Sequence, residues 1–543
     1  MNMRVDFQTE PARYRHWRME FDGAIAHLIM DVDANGGLFE DCELKLNSYD
    51  LSVDVELADA VQRLRFEHPE VRAVVLRSAK PGVFSAGANI RMLARASHAH
   101  KVNFCKFTNE TRLAMEDASA HSGQFWLAAV SGTAAGGGYE LALACAHIML
   151  VDDRRSAVAM PEVPLLGVLP ATGGLTRLTD KRKVRRDLAD LFCTTEEGVR
   201  GGRALQWRLV DEIVPPSGWE AALTSRASAL GARSDRPPHA KGITLSPLDR
   251  RISDDALIYS HLEVILDHAA RRAILTVRAP ENLPLDLAGL HAAGADFWPL
   301  RLSRELDDAL LHLRLNEPAL GLILIRAEGD GAQVLTADAL LDTFKDDWLV
   351  REIRLYWRRV LSRLDLTSRS VIALIETDGF AGTLAELAFA ADRAVMRTAN
   401  SAMLRLSPLN FGAYPMLNGL TRLATRFLGE PERIAEAKAR MGEPLTGEAA
   451  AALGLITVAL DDIDWDDEVR LMLEERASFS PDALTAMEAN LRFAGPETME
   501  TRIFGRLSAW QNWVFQRPNA AGEAGTLKRY GSGIKPIYDP ERI

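Results

Sequence analysis

Cysteine is scarce, with four residues in 543, at positions 42, 105, 145 and 193, and none in a CxxC pair. Such spacing supports neither a disulfide framework nor a structural zinc site, and it suits a reducing compartment, the cytoplasm. The N-terminal stretch MNMRVDFQTEPARYRHW has no apolar segment of the kind a secretion signal needs. Long hydrophobic runs are missing as well. The most apolar stretch, 127–151, is broken by Glu140 and His147 and is rich in glycine. It reads as a buried strand–turn–helix and not as a membrane span. Excess positive charge is absent: 64 Lys and Arg stand against 75 Asp and Glu, a net charge of −11. No nucleic-acid partner is therefore expected, and phosphate binding is left to a local basic pocket. There is no HExxH and no Cys/His cluster, and GGGYE lacks the spacing of a dinucleotide-binding GxGxxG. Neither a metal nor a redox cofactor is expected.

What is present is an ordinary globular composition, 47% hydrophobic and 26% charged, in a chain too long for one core. One unit is written twice. Residues 56–77, ELADAVQRLRFEHPEVRAVVLR, are echoed by 305–326, ELDDALLHLRLNEPALGLILIR, at an offset of 249. Both read as an amphipathic helix, a proline-bearing turn and an apolar run suited to a buried strand. AAVSGTAAGGGYELALACAHIML is then answered by ALIETDGFAGTLAELAFAADRAVM, which sets Glu386 on Glu140. PATGGLTRL (170–178) is answered by PMLNGLTRL (415–423). Three matches in one order at a nearly constant offset mark a duplication.

Alternating strands and helices predict an α/β fold for each copy. We place a first, catalytic domain at 1–235, a linker at 236–256, the second copy at 257–474 and a helical segment with a tail at 475–543. Trp510, Trp513 and Phe515 in that last segment read as packing residues, with the cover of an active site as the alternative.

Two places in the first copy suit the binding of a carbonyl oxygen. In FSAGANIRML, Ala88 and Asn89 fall where a helix begins, and in VSGTAAGGGYELALAC, Gly136, Gly137 and Gly138 precede another. Helix starts leave N–H groups without intrahelical partners, and glycine lets an oxygen approach the main chain. Two such donors converging on one oxygen make an oxyanion hole.

Two carboxylates accompany them: Glu140, three residues past Gly137, and Glu162, in MPEVPLLG with a proline on each side. Beside an apolar acyl pocket a carboxylate has a raised pKa and serves as acid or base near neutrality. Each feature also has a plain structural reading. GGG is often only a turn, Glu140 suits a helix dipole, and Glu162 suits a surface loop. Cys105 in KVNFCKFTNETR suits a buried helix face. The run TDKRKVRRD (179–187) beside Arg177 reads as a solvated helix face ahead of a phosphate contact.

In order and together, FSAGANI, GGGYELALAC and PEVPLLGVLPATGGLTRL resemble the consecutive signatures of the crotonase (enoyl-CoA hydratase/isomerase) superfamily. The resemblance implies an α/β architecture of two tandem crotonase-like domains, of the ClpP/crotonase spiral ββα type, with a C-terminal helical appendage. It implies an acyl-CoA substrate whose oxyanion is held by the N–H groups of Ala88 and Gly137. Leu46, Ser48, Ala86, Asn89, Ile90 and Gly136 would line the coenzyme A and substrate site, and Glu140 and Glu162 would handle water and protons. Asn89 stands where Asp is commoner in the superfamily, a departure that concerns only that side-chain contact.

Longer stretches are similar to the benzoyl-CoA-dihydrodiol lyase family of aerobic benzoate degradation: LKLNSYDL (44–51), VNFCKFTNETR (102–112), GGLTRLTDKRKVRRD (173–187) and NLRFAGPETMETRIFGRLSAWQNWVFQRPNA (490–520). This narrower resemblance implies that Cys105 and Glu162 face a substrate ring. It implies that 2,3-epoxy-2,3-dihydrobenzoyl-CoA and water become 3,4-didehydroadipyl-CoA semialdehyde and formate. Coenzyme A then enters as part of the substrate, and a homodimer is expected. The alternatives are a generic enoyl-CoA hydratase/isomerase and a non-catalytic acyl-CoA-binding scaffold. In the second copy VLTADAL replaces FSAGANI, Thr383 replaces the middle glycine and Ser407 stands where Glu162 would align. A structural or dimerisation role is expected for it.

Overall fold

The computed structural model describes residues 4–543. The chain forms two compact units, one of residues 7–247 and the other of residues 248–543 together with Arg4–Asp6.

The first unit contains β1 (Trp17–Asp22), β2 (Ile25–Met30), β3 (Ser48–Tyr49), β4 (Ala73–Ser78), β5 (Val83–Ser85), β6 (Gly87–Ala88), β7 (Phe125–Val130), β8 (Thr133–Ala135), β9 (His147–Val151), β10 (Ala157–Ala159) and β11 (Glu212–Val214). They make a six-stranded sheet in the order β1-β2-β4-β7-β9-β11, a three-stranded sheet β10-β8-β5 and the pair β3-β6. The β1–β2 hairpin is antiparallel; the other pairings are parallel. The helices that shape the site are α1 (Leu51–Phe66), α2 (Ile90–Arg95), α3 (His98–His121), α4 (Gly137–Ala144) and α5 (Glu162–Leu166).

The chain spirals. It passes through a strand of the large sheet, then a strand of the small sheet, then a helix, as in β7-β8-α4 and β9-β10-α5. Because β5, β8 and β10 are parallel neighbours, the junctions that follow them lie side by side. These are the ends where open α/β folds collect their ligands. On the large sheet, alternate residues Ala73, Val75, Leu127, Ala129, Met149 and Val151 face the helix Trp219–Gly231 through Trp219, Leu223, Ala227 and Leu230. That period of two is what a strand buried against a helix requires.

The second unit contains β12 (Arg251–Ile252), β13 (Ala256–Ile258), β14 (Leu262–Asp267), β15 (Arg272–Arg278), β16 (Leu322–Glu328), β17 (Ser370–Ile375), β18 (Phe380–Ala381), β19 (Arg393–Arg397), β20 (Leu404–Arg405) and β21 (Val458–Leu460). Its main sheet runs β12-β13-β14-β15-β16-β17-β19-β21, beside the parallel pair β18-β20. The part β14-β15-β16-β17-β19-β21 has the order of the first unit's sheet and the same strand senses, an antiparallel hairpin followed by parallel neighbours. Trp465 and Leu473 of helix Trp465–Ser478 pack on Leu322, Leu324, Ile372 and Leu374, as Trp219 and Leu223 do in the first unit.

The division between Pro247 and Leu248 falls inside the expected linker 236–256, while Arg4–Asp6 and the whole segment 475–543 group with the second unit. The last is held there by a buried carboxylate: Glu488 accepts from Arg476 at 2.7 Å, from Arg542 at 2.6 Å and from the Ser370 hydroxyl. Trp510 and Trp513 meet edge to face at 5.4 Å, and Trp510 lines an apolar cleft with Met487, Leu491 and Ile503. Among the described residues no helix is long and apolar enough to cross a membrane.

Candidate active site

The first junction is set by the pairing of β3 with β6, which places Tyr49 opposite Ala88. Asn89 N–H donates to the Tyr49 carbonyl at 2.8 Å. Successive N–H groups of an extended segment alternate in direction, so the Ala88 N–H faces away from β3, toward Gly137. A Cβ on Gly137 would lie 3.3 Å from the Ala88 nitrogen. The second junction is the start of α4. Tyr139 and Glu140 N–H both donate to the Gly136 carbonyl at 2.9 Å, while the N–H groups ahead of them have no carbonyl one turn earlier to meet. The Ala88 nitrogen and the start of α4 at Gly137 thus lie close together. Gly136 adopts φ +52°, and a Cβ there would meet Glu162 Oε1 at 2.8 Å. The third junction therefore lays the Glu162 carboxylate directly over the second.

The two carboxylates differ sharply in their surroundings. Glu140 Oε1 accepts the Gly174 N–H at 2.8 Å, and Oε2 accepts the Thr172 hydroxyl. The chain itself thus occupies both oxygens. Glu162 is 9% exposed, and its buried Oε2 has no partner among the described residues. Burial, with the Glu140 charge adding to it, pushes the Glu162 carboxyl up to about 7. A carboxylate that is nearly buried, with one oxygen unpartnered and its pKa raised toward neutrality, is suited to receive and return protons.

Cys105 lies on α3 and is partly buried. Burial, and after it the Glu140 charge, push its thiol up to about 11. At neutrality it is a thiol, a hydrogen-bond donor and not a nucleophilic thiolate. Its alkylation by iodoacetamide at pH 7 should be about two orders of magnitude slower than that of an exposed cysteine, rising tenfold per pH unit. Mass spectrometry of the peptide carrying residue 105 reads this out, and a labelling rate that levels off by pH 8 would contradict it.

Of the residues expected to meet coenzyme A, Leu46 and Ile90 are 59% and 56% exposed, and Ala86 is exposed as well. Leu46 takes the left-handed conformation, φ 55°, because Asn47 beside it is anchored to the Met30 and Phe84 carbonyls and to Val32 N–H. Asn89 is buried and fully occupied. Its Oδ1 caps α2 by accepting Met92 N–H at 2.9 Å, and its Nδ2 donates to the Glu43 carbonyl and the Ser48 hydroxyl. Asp would serve equally as the cap. The position therefore shapes the loop, and Ser48 is turned toward it. The basic run is internally committed too: Arg177 makes a two-pronged contact with Glu116, Lys181 joins it, and Arg182 pairs with Asp211.

Sequence reasoning missed the support beneath the two amides. The Tyr49 hydroxyl stands where a Gly137 Cβ would go. It accepts from buried Arg112 at 3.0 Å, whose charge is answered by Asp54 at 3.6 Å. A signal was available: Cys105, Thr108 and Arg112 follow the spacing of one helix face, and a charged residue on the face that carries Phe104 and Phe107 needs a partner. Thr172 and Gly174 belong to PATGGLTRL (170–178), but only their contact with Glu140 reveals their part.

Comparison with known proteins yields three findings. Residues 42–250 match the family described as enoyl-CoA hydratase/isomerase. The chain is 55% identical to the benzoyl-CoA-dihydrodiol lyase of Aromatoleum evansii over 543 residues, 99% of this chain and 98% of that protein. Among solved structures, an enoyl-CoA hydratase from Geobacillus kaustophilus HTA426 is 30% identical, covering 40% of this chain and 75% of its own, with a TM-score of 0.35. Pseudomonas aeruginosa DspI is 25% identical, covering 41% of this chain and 82% of its own, also with a TM-score of 0.35.

Proposed function

The chain belongs to the benzoyl-CoA-dihydrodiol lyase family and carries an enoyl-CoA hydratase/isomerase domain, and from that premise we propose that it opens the ring of 2,3-epoxy-2,3-dihydrobenzoyl-CoA. The products are 3,4-didehydroadipyl-CoA semialdehyde and formate, and balance requires two molecules of water. The observation that carries this reading is the nearly buried Glu162, its Oε2 without a partner among the described residues, close to Gly136 and the neighbouring Ala88 and Gly137 main chain.

In this reading the thioester oxygen lies between the N–H groups of Ala88 and Gly137. They draw electrons through the carbonyl and stabilise an enolate delocalised from the ring. Glu162, as the carboxylate, takes a proton from water and later returns it. Cys105, as a thiol, donates a hydrogen bond to the oxygen released from the epoxide. Glu140, bonded on both oxygens, acts through its charge, which keeps Glu162 and Cys105 protonated at higher pH. Leu46, Ala86 and Ile90 offer the pantetheine arm an apolar surface at the mouth, with Ser48, Asn89 and Gly136 forming the wall behind it.

The second unit is in the same reading a degenerate copy of the first, retained for structure. A homodimer belongs to it too: Met499 and Phe504, 73% and 76% exposed, are apolar surface of the kind a second copy covers.

The test is the product. Incubation with the epoxybenzoyl thioester should release formate and a semialdehyde, whereas crotonyl-CoA should be hydrated poorly; the reverse result would favour a generic hydratase. Because Glu162 must be ionised to activate water, kcat/KM should rise tenfold per pH unit and level off above about pH 7. A profile flat from pH 5 to 8 would exclude Glu162 as the base.

A further inference from the structure

The second unit buries a carboxylate in a telling place. Setting VLTADAL on FSAGANI puts Asp338 at the position of Ala88, and setting GTLAE on GGGYE puts Thr383 at that of Gly137. In the structure these two residues bond to each other. Asp338 Oδ2 accepts the Thr383 N–H at 2.8 Å and the Ser407 hydroxyl at 2.6 Å, and Oδ1 accepts the Thr383 hydroxyl at 2.6 Å. Ser407 is itself the residue standing where Glu162 would align.

The glycine preceding each helix reports the same geometry. Gly136, at φ +52°, has the Glu162 carboxylate over it; Gly382, at φ +47°, has the Asp338 carboxylate over it and Ser407 Oγ 3.2 Å from a would-be Cβ. Asp338 reaches this spot because β16 leads directly into the helix Gly331–Thr343. In the first unit β5, β6 and α2 follow the corresponding strand. Asp338, Thr383 and Ser407 are all 2% exposed or less.

We propose that Asp338 is a built-in ligand of the second unit: its carboxylate fills a vestigial oxyanion hole, closing that unit to acyl thioesters and leaving a site whose ligand class is a small carboxylate. This rests on reading the second unit as a copy of the first. A helix start that no longer receives a substrate oxygen would bury its N–H without a partner. A carboxylate from the same chain supplies the acceptor permanently. Among the described residues no Lys or Arg pairs with it, and burial accordingly pushes Asp338 up to about 7 against the pull of its three hydrogen bonds.

The experiment is Asp338→Ala in the full chain. Removing the acceptor of three buried donors should lower Tm by about 5–10 °C. Acetate should restore most of that loss saturably, in the tens of millimolar, where sodium chloride of equal ionic strength does not, and the unmodified chain should show no such response. A variant whose Tm is unchanged, or one indifferent to acetate, overturns the proposal. If the variant is insoluble, refolding from urea decides: acetate-dependent recovery supports the proposal, and equal recovery in chloride refutes it. Calorimetric titration of the unmodified chain with benzoyl-CoA should give one site per chain, and two would show the second unit to be open. Absence of any benzoyl-CoA binding would refute the thioester reading of the first unit, leaving the acetate result to judge Asp338.

Discussion

Glu162→Gln should abolish ring opening almost completely while leaving the protein folded, with kcat reduced about a thousandfold, within the range that a positioned acid–base group contributes. Glutamine keeps the shape and can still accept a hydrogen bond, so KM for the thioester should change little. The variant should also gain stability. The folded-state pKa of Glu162 is raised to about 7, so the folded chain binds a proton more tightly than the unfolded one. That contribution to stability is fully present below the ordinary glutamate range and is lost as pH rises toward 7. Above this window the native state carries a buried, unpartnered charge. Glutamine removes the penalty, and at pH 8 the variant should unfold at a higher urea concentration than the parent. Lost turnover with gained stability is the signature of a group held for chemistry. Retention of more than a tenth of kcat would show that the proton moves elsewhere.

Gly137→Ala should cost about a hundredfold to a thousandfold in kcat, the usual loss when one oxyanion donor is displaced. The new Cβ would overlap the Tyr49 hydroxyl and approach the Ala88 nitrogen to 3.3 Å. Tyr49 cannot retreat, being 1% exposed and held by Arg112 at 3.0 Å. The start of α4 must therefore move, and its N–H moves with it. Overpacking of this kind also costs about 1–3 kcal/mol of stability, so circular dichroism and Tm accompany the assay. Gly202, with nothing within 4 Å of its would-be Cβ, is the control, and Gly202→Ala should be silent. A folded Gly137→Ala enzyme with kcat within a factor of three of the parent would mean that this amide does not hold the thioester oxygen.

The duplication, the alternation of strand and helix, and the residue types at the junctions are local properties, and they could be read directly. The apolar run that ends the 56–77 segment and the one that opens 127–151 mark buried strands, and GGG marks a place where the main chain is approached closely. The availability of the two glutamates was not legible. Both lie at helix starts, 22 residues apart. Glu140 is occupied because the 172–174 loop folds back over α4, whereas nothing among the described residues reaches Glu162 Oε2. That Asn89, expected to line the site, also caps α2 was not legible, because this depends on Glu43 and Ser48 arriving beside it.

The sequence alone therefore determined which elements form, that they form twice, and which family of thioester chemistry they resemble, because hydrophobic period and glycine placement act over a few residues. Only the tertiary structure decided which carboxylate is free, what supports Gly137 from below, and that Asp338 sits where a substrate oxygen would otherwise go. The reason is physical: a polar group's role is set by its hydrogen-bond partners and its distance from water, and for these residues the partners come from segments tens of positions away.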